Sequence, residues 1–195
     1  MKNLSSQQKR CSWCTDSKIY QDYHDNEWGV PVHDDRLLFE MLSLELCQAG
    51  LSWLTILQKR QNFKDAFDNF EPEKIAKYTD SDICSLMKND GIVRNKPKIR
   101  SIIKNSKVFL EIQEKYGSFD KYIWKFVNNT PIVNKPKTRQ TVSQNDLSDL
   151  ISKDLKKKGM VFLGPVIIYS YLQAIGIIND HEDGCFLSQD LSMAA

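Results

Sequence analysis

Between residues 35 and 175 the apolar side chains return every three or four positions, and no stretch alternates convincingly over the length of a strand. Helices are predicted over 35–49, 52–67, 72–78, 80–89, 97–115, 119–127, 145–157 and 164–175. Their ends carry matching signals: Pro72 in a first turn, Thr79-x-x-Asp82 and Ser143-x-x-Asp146 as capping patterns, Gly117 and Gly159 as terminators. The chain is therefore expected to be all-α. Its 195 residues, 41% of them hydrophobic, suffice for one core, and residues 1–195 read as a single domain. Residues 1–10 read as a disordered extension and 187–195 as a tail. The Pro- and Asn-rich stretch 128–144 reads as a surface connection between two helical groups.

Several function classes fall away on composition. A net charge of +2 does not by itself call for a polyanionic partner, so the distribution of charge matters more. No apolar run reaches the length of a membrane span, and the polar start MKNLSSQQKR does not read as a secretion signal. Cysteines stand at 11, 14, 47, 84 and 185, an odd number, which points to a reducing cytoplasm rather than a disulfide scaffold. Cys47 and Cys84 lie in apolar helical patterns and read as small core residues. Nothing demands more than a monomer.

Within 35–49, Leu37, Leu38, Met41, Leu42 and Leu44 share one broad face, and at about 100° per residue Glu45 falls between Leu38 and Met41. Arg36, Glu40 and Ser43 take the polar side. A carboxylate in an apolar stripe is costly unless paired. Glu45 has two fates on spacing alone, a buried ion pair or a place in a reactive site, and Gly50 and Trp53 follow it closely. Residues 11–34 lack sustained helical periodicity and crowd Trp13, Tyr20, Tyr23 and Trp28 around His24. Such aromatics either cap a core or form a stacking pocket for a flat ligand.

Residues 89–100 read as a connection between two helices, and 94–107 carry Arg94, Lys96, Lys98, Arg100, Lys104 and Lys107 without an acid. A helix-hairpin-helix grips a phosphate backbone with amides and nearby cations, so this run reads as a nucleic-acid face rather than a merely solvated one. Lys156-Lys157-Lys158 reads as solvated. Cys11 and His24 are separated by twelve residues, and His181 and Cys185 by three. Two thiolates and two imidazoles suit tetrahedral zinc, with no position open for a reacting water. Cys14 competes with Cys11, because the two make Cys-x-x-Cys; His33 reads as a surface residue.

Several motifs, in order over residues 11–186, resemble the bacterial 3-methyladenine DNA glycosylase I family. They are Cys11-x-Trp13, Tyr23-His24-Asp25-Asn26-Glu27-Trp28-Gly29-Val30-Pro31, Leu44-Glu45, Gln48-Ala49-Gly50-Leu51-Ser52-Trp53, Ser152-x-Asp154-Leu155-Lys156-Lys157 and Asn179-Asp180-His181-x3-Cys185. The resemblance implies an all-α helix-hairpin-helix glycosylase that flips 3-methyladenine out of alkylated double-stranded DNA and hydrolyses its N-glycosidic bond. Free base and an abasic site are the implied products, formed without an organic cofactor. The resemblance also implies that Cys11, not Cys14, joins His24, His181 and Cys185 around a structural zinc linking segments 11–34 and 176–186.

On the same basis Glu45 contacts the base, Trp53 stacks on it, and Tyr23, Tyr20, Trp13 and Trp28 complete the pocket. Leu51 is the candidate wedge, and Arg94, Lys96, Lys98 and Arg100 are candidate DNA contacts. The sequence departs from the wider superfamily in two ways. No Asp occurs between Gly91 and Phe119, and the hairpin has Pro97 near its turn with only Gly91 before it. A non-catalytic lesion sensor is the competing expectation. A zinc-stabilised transcription regulator lacks a helix with clustered base-reading side chains.

Overall fold

The computed structural model describes residues 9–134, 136 and 142–188. The predicted extension at 1–10 and tail at 187–195 lie largely outside these residues. Among these residues nine α-helices follow in order: α1 (Lys18–Asn26), α2 (Asp35–Gln48), α3 (Trp53–Ala66), α4 (Pro72–Ile75), α5 (Asp80–Leu86), α6 (Lys96–Tyr116), α7 (Phe119–Trp124), α8 (Asp146–Lys157) and α9 (Pro165–Ala174). The architecture is all-α, as the periodicity predicts. Among the described residues it includes a two-residue parallel pairing of β1 (Ile132–Val133) with β2 (Ile178–Asn179), too short to leave an alternating pattern.

α2 is the axis of the core and packs against α3, α6, α7 and α9. Every residue from Leu38 to Cys47 is buried, so the helix has no solvent face along that stretch. Glu40 and Ser43, predicted to be exposed, are buried as well. Phe39, Phe109 and Phe119 fill the centre, the last two stacked at 4.2 Å.

Local chemistry fixes the helix ends. The Asp34 carboxylate accepts from the Leu37 amide, and Ser52 accepts from Thr55. Thr79 and Asp82 make the predicted capping box. At α8 the box forms two residues later than predicted, between Asn145 and Ser148, because the Asn145 side chain reaches the Ser148 amide. Pro97 sits in the first turn of α6, where its missing N–H costs nothing.

α1 was not apparent from periodicity. Its sequence KIYQDYHDN buries only Tyr23 and His24, leaving no apolar stripe to read. Cys84, predicted to be a core residue, is exposed on α5.

Candidate active site

α2 carries two buried carboxylates, and their surroundings differ. Glu40, 0% exposed, is neutralised by Arg60 at 2.7 Å, Lys64 at 3.2 Å and Arg36 at 3.3 Å. Glu45, 5% exposed, meets no cation and no hydrogen-bond donor among the described residues, and burial pushes its carboxyl up to about 8. An unpaired carboxyl in the interior is a functional candidate on physical grounds, because a structural acid would be satisfied.

Glu45 lines a cavity of about 320 Å³ together with Trp13, Tyr20, Tyr23, Trp28, Gln48 and Trp53. Val142, Ser143, Val166, Tyr169, Ser170, Gln173, Asp180 and Glu182 complete the wall. All five aromatic residues singled out from the sequence are therefore brought to Glu45. Tyr23 and Trp53 lie 5.4 Å apart, centre to centre, and Trp13 packs edge-on against Tyr20 at 5.6 Å and Trp28 at 4.9 Å. Burial, with the nearby Glu45 charge adding to it, holds the Tyr23 phenol well above its ordinary value, so it stays a neutral hydroxyl.

The other acids of the wall are satisfied. Asp180 accepts from Asn134, Tyr169 and Gln173 at 2.8, 2.8 and 2.6 Å. Glu182 accepts from the Ser12 amide at 2.8 Å and hydroxyl at 2.6 Å. The indole N–H of Trp53 is buried without a partner among the described residues. Among the described residues, the Glu45 carboxyl is thus an acceptor without a partner at the wall of an aromatic cavity. A flat, cationic ring would pair with the Glu45 carboxylate and stack on the aromatic walls.

Beside the cavity, Cys11, His24, His181 and Cys185 converge, all buried, with their donor atoms within 4.8 Å of one another. Cys11 Sγ lies 3.4 Å from His181 Nδ1, and Cys185 Sγ lies 3.5 Å from His24 Nε2 and 3.6 Å from His181 Nδ1. Ligand bonds of about 2.3 Å to sulfur and 2.05 Å to nitrogen give tetrahedral S–N edges of about 3.6 Å, so the cluster has the dimensions of a four-ligand metal site. Cys14 stays outside it.

The surrounding hydrogen bonds orient both imidazoles. His24 Nδ1 lies 2.8 Å from Asp25, itself gripped by Arg10, and His181 Nε2 lies 3.1 Å from the Trp28 carbonyl. Each ring is left with its other nitrogen facing the cluster. The Cys185 thiol is drawn down by hydrogen bonding from Cys11 and from the two imidazoles, which gives the cluster a thiolate. Trp28 packs edge-on against His181 at 4.7 Å and Trp13 lies 5.3 Å from His24, so the cluster braces two walls of the cavity.

The basic segment divides. Arg94, Lys96 and Arg100 are exposed near the hairpin, with Arg100 3.7 Å from Asp80. Lys98 is not on that face. It is 5% exposed, and its ammonium donates to the carbonyls of Cys47 at 2.8 Å and Ala49 at 2.6 Å, so it cannot meet a phosphate. A charge run in sequence does not record that the first turn of α6 abuts the end of α2. The hairpin itself is braced from α3, where Lys59 donates to the Asp90 carbonyl and Asn62 to that of Gly91.

Leu51 is 38% exposed on the turn between α2 and α3. His33 is exposed, as read, and lies 2.7 Å from Asp120. The α9 wall was missed, because an amphipathic pattern does not say which polar residues border a cavity. Asp180 stood inside a quoted motif and gave no signal of its own.

A family model described as methyladenine glycosylase matches residues 13–188. The DNA-3-methyladenine glycosylase of Haemophilus influenzae is 44% identical over 177 residues, covering 90% of this chain and 96% of that protein. DNA-3-methyladenine glycosylase 1 of Escherichia coli is 43% identical over 178 residues, covering 91% and 95%. A crystal structure of 3-methyladenine DNA glycosylase I superposes with a TM-score of 0.89 at 42% identity, over 92% of this chain and 99% of that one. With nearly its whole length matched, the chain belongs to the methyladenine glycosylase family.

Proposed function

We infer that this protein is a base-excision repair enzyme that hydrolyses the N-glycosidic bond of 3-methyladenine in alkylated DNA. The observation that carries this reading is Glu45, a buried carboxyl with no partner among the described residues, facing an aromatic-walled cavity in a chain of this family. Methylation at N3 leaves the adenine ring positively charged, which weakens its bond to the sugar. The chemistry then rests on extrusion, recognition and attack by water.

Magnitudes support the pairing. Ionising a carboxyl whose pKa is about 8 costs about 1.4 kcal/mol at pH 7. A cation about 4 Å away returns about 4 kcal/mol at an effective dielectric of about 20. The lesion therefore draws Glu45 into its charged form, whereas an unmodified, neutral adenine does not. Trp53 stacks on the ring, with Tyr23, Tyr20, Trp13 and Trp28 closing the pocket around it.

When the C1′–N9 bond breaks, its electron pair passes to the base, which leaves neutral. Water adds to C1′ and gives up its proton to solvent, leaving an abasic site. Leu51 fills the space vacated in the duplex, and Arg94, Lys96 and Arg100 attract the phosphate backbone. The two-thiol, two-imidazole cluster is the chemistry of structural Zn²⁺. Held by Cys11, His24, His181 and Cys185, such an ion would brace the pocket as a structural site rather than activate water.

The test is to incubate the protein with dimethyl-sulfate-treated duplex DNA and identify the released bases by chromatography. Release of 3-methyladenine with little 7-methylguanine is the expected result. Tight binding to the methylated duplex without release would overturn it in favour of a lesion sensor.

A further inference from the structure

Lys98 is the buried cation that the reaction leaves unused. It does not line the cavity, and no carboxylate pairs with it among the described residues. Its ammonium instead closes on Cys47 and Ala49, whose carbonyls lie where α2 stops and the chain turns toward Leu51. The turn has its own internal bonds: the Leu51 amide donates to the Gln48 carbonyl at 2.7 Å, and the Gln48 side chain donates to the Leu51 carbonyl at 2.9 Å. Gly50 takes a φ of +80°, and a Cβ there would meet nothing within 4 Å. The Lys98 bonds tie the carbonyls on either side of Gln48 to α6, on the approach to this open turn. The residue making them belongs to α6, the helix that leaves the basic hairpin.

We propose that Lys98 is a positioning residue for base extrusion: by joining the hairpin helix to the carbonyls of Cys47 and Ala49, it holds the Gly50–Leu51 turn where Leu51 enters the duplex. This inference rests on the reading of Leu51 as the side chain that enters the base stack. An ammonium with several donors can serve both carbonyls at once, and at the end of a helix its charge also meets the negative pole of α2. Backbone gripping at the hairpin and insertion at the turn thereby share one rigid support. A shift of even about 1 Å in an inserting group slows a reaction that depends on alignment.

The experiment compares Lys98→Met, Lys98→Arg, Leu51→Ala and the Lys98→Met/Leu51→Ala double variant. Two quantities are read: kcat/KM on dimethyl-sulfate-treated duplex, and the Kd for free 3-methyladenine, which needs no extrusion. Lys98→Met should lower kcat/KM by about tenfold or more while leaving the free-base Kd within about twofold, and Lys98→Arg should restore much of the loss. In the Leu51→Ala background the same substitution should cost no more than about twofold further. Wild-type kcat/KM in Lys98→Met, full additivity with Leu51→Ala, or a parallel loss of free-base affinity would each overturn the proposal. An unimpaired Leu51→Ala would overturn the wedge reading itself, and the inference with it. If Lys98→Met does not fold, Lys98→Gln, which keeps a donor for one carbonyl, carries the test on the same criteria.

Discussion

At the scale of single residues, the contrast between Glu40 and Glu45 organises the molecule. The two lie on one buried helix, but only the first meets compensating charge. The stability consequence of Glu45 has a definite sign. Its carboxyl titrates near 4.5 in the unfolded chain and near 8 in the folded one, so between those values the folded state holds the extra proton. Stability is therefore lost as pH rises from about 4.5 to about 8. Glu45→Gln removes that dependence, and its unfolding free energy should exceed that of wild type by a margin growing across this window, reaching a few kcal/mol at most. Urea unfolding of both proteins at pH 5, 6.5 and 8 checks this, and a wild type that gains on the variant as pH rises would refute it. The position of Glu45 in an apolar stripe was legible in the sequence; the lack of a partner was not, because pairing depends on residues brought from elsewhere. Glu40 shows the difficulty, since its neutralising Arg60 and Lys64 come from α3.

At the scale of elements, apolar periodicity revealed the helices that bury a stripe and missed the one that does not. α1 buries Tyr23 and His24 alone, and its hold on the protein runs through the metal-ligand cluster and the aromatic contacts of those two residues. The segment of residues 176–186 depends on the same cluster through His181 and Cys185. Stripping the metal with a strong chelator should therefore lower the melting midpoint on the order of 10 °C, since each kcal/mol is worth about 2–4 °C in a chain of this size. Affinity for free 3-methyladenine should fall with it, because Trp13 and Trp28 rest on His24 and His181. Metal analysis, calorimetry and ligand titration of the same samples check this. A metal-free protein with an unchanged midpoint and unchanged affinity would show that the cluster braces nothing. The ligands themselves were readable as residue types; choosing Cys11 over Cys14 required the family resemblance, and the geometry agrees with it.

Across the whole molecule, α2 connects the cavity with the helix that leaves the hairpin. Its last turn presents Glu45 to the cavity, its end leads into the Leu51 turn, and Lys98 ties that end to the helix leaving the hairpin. The metal cluster closes the cavity from the other side by joining residues 11–24 to residues 181–185. Long ordered motifs made the family legible before any geometry, whereas the α9 wall and the inward turn of Lys98 emerge only from packing. The central claim is that one unpaired buried carboxyl recognises the cationic base. Its most direct test is the single-turnover release of 3-methyladenine from methylated duplex by folded, metal-loaded wild type and Glu45→Gln at pH 7. Loss of one such electrostatic contact predicts a fall of about a hundredfold in the variant. Release at the wild-type rate by Glu45→Gln would contradict the account.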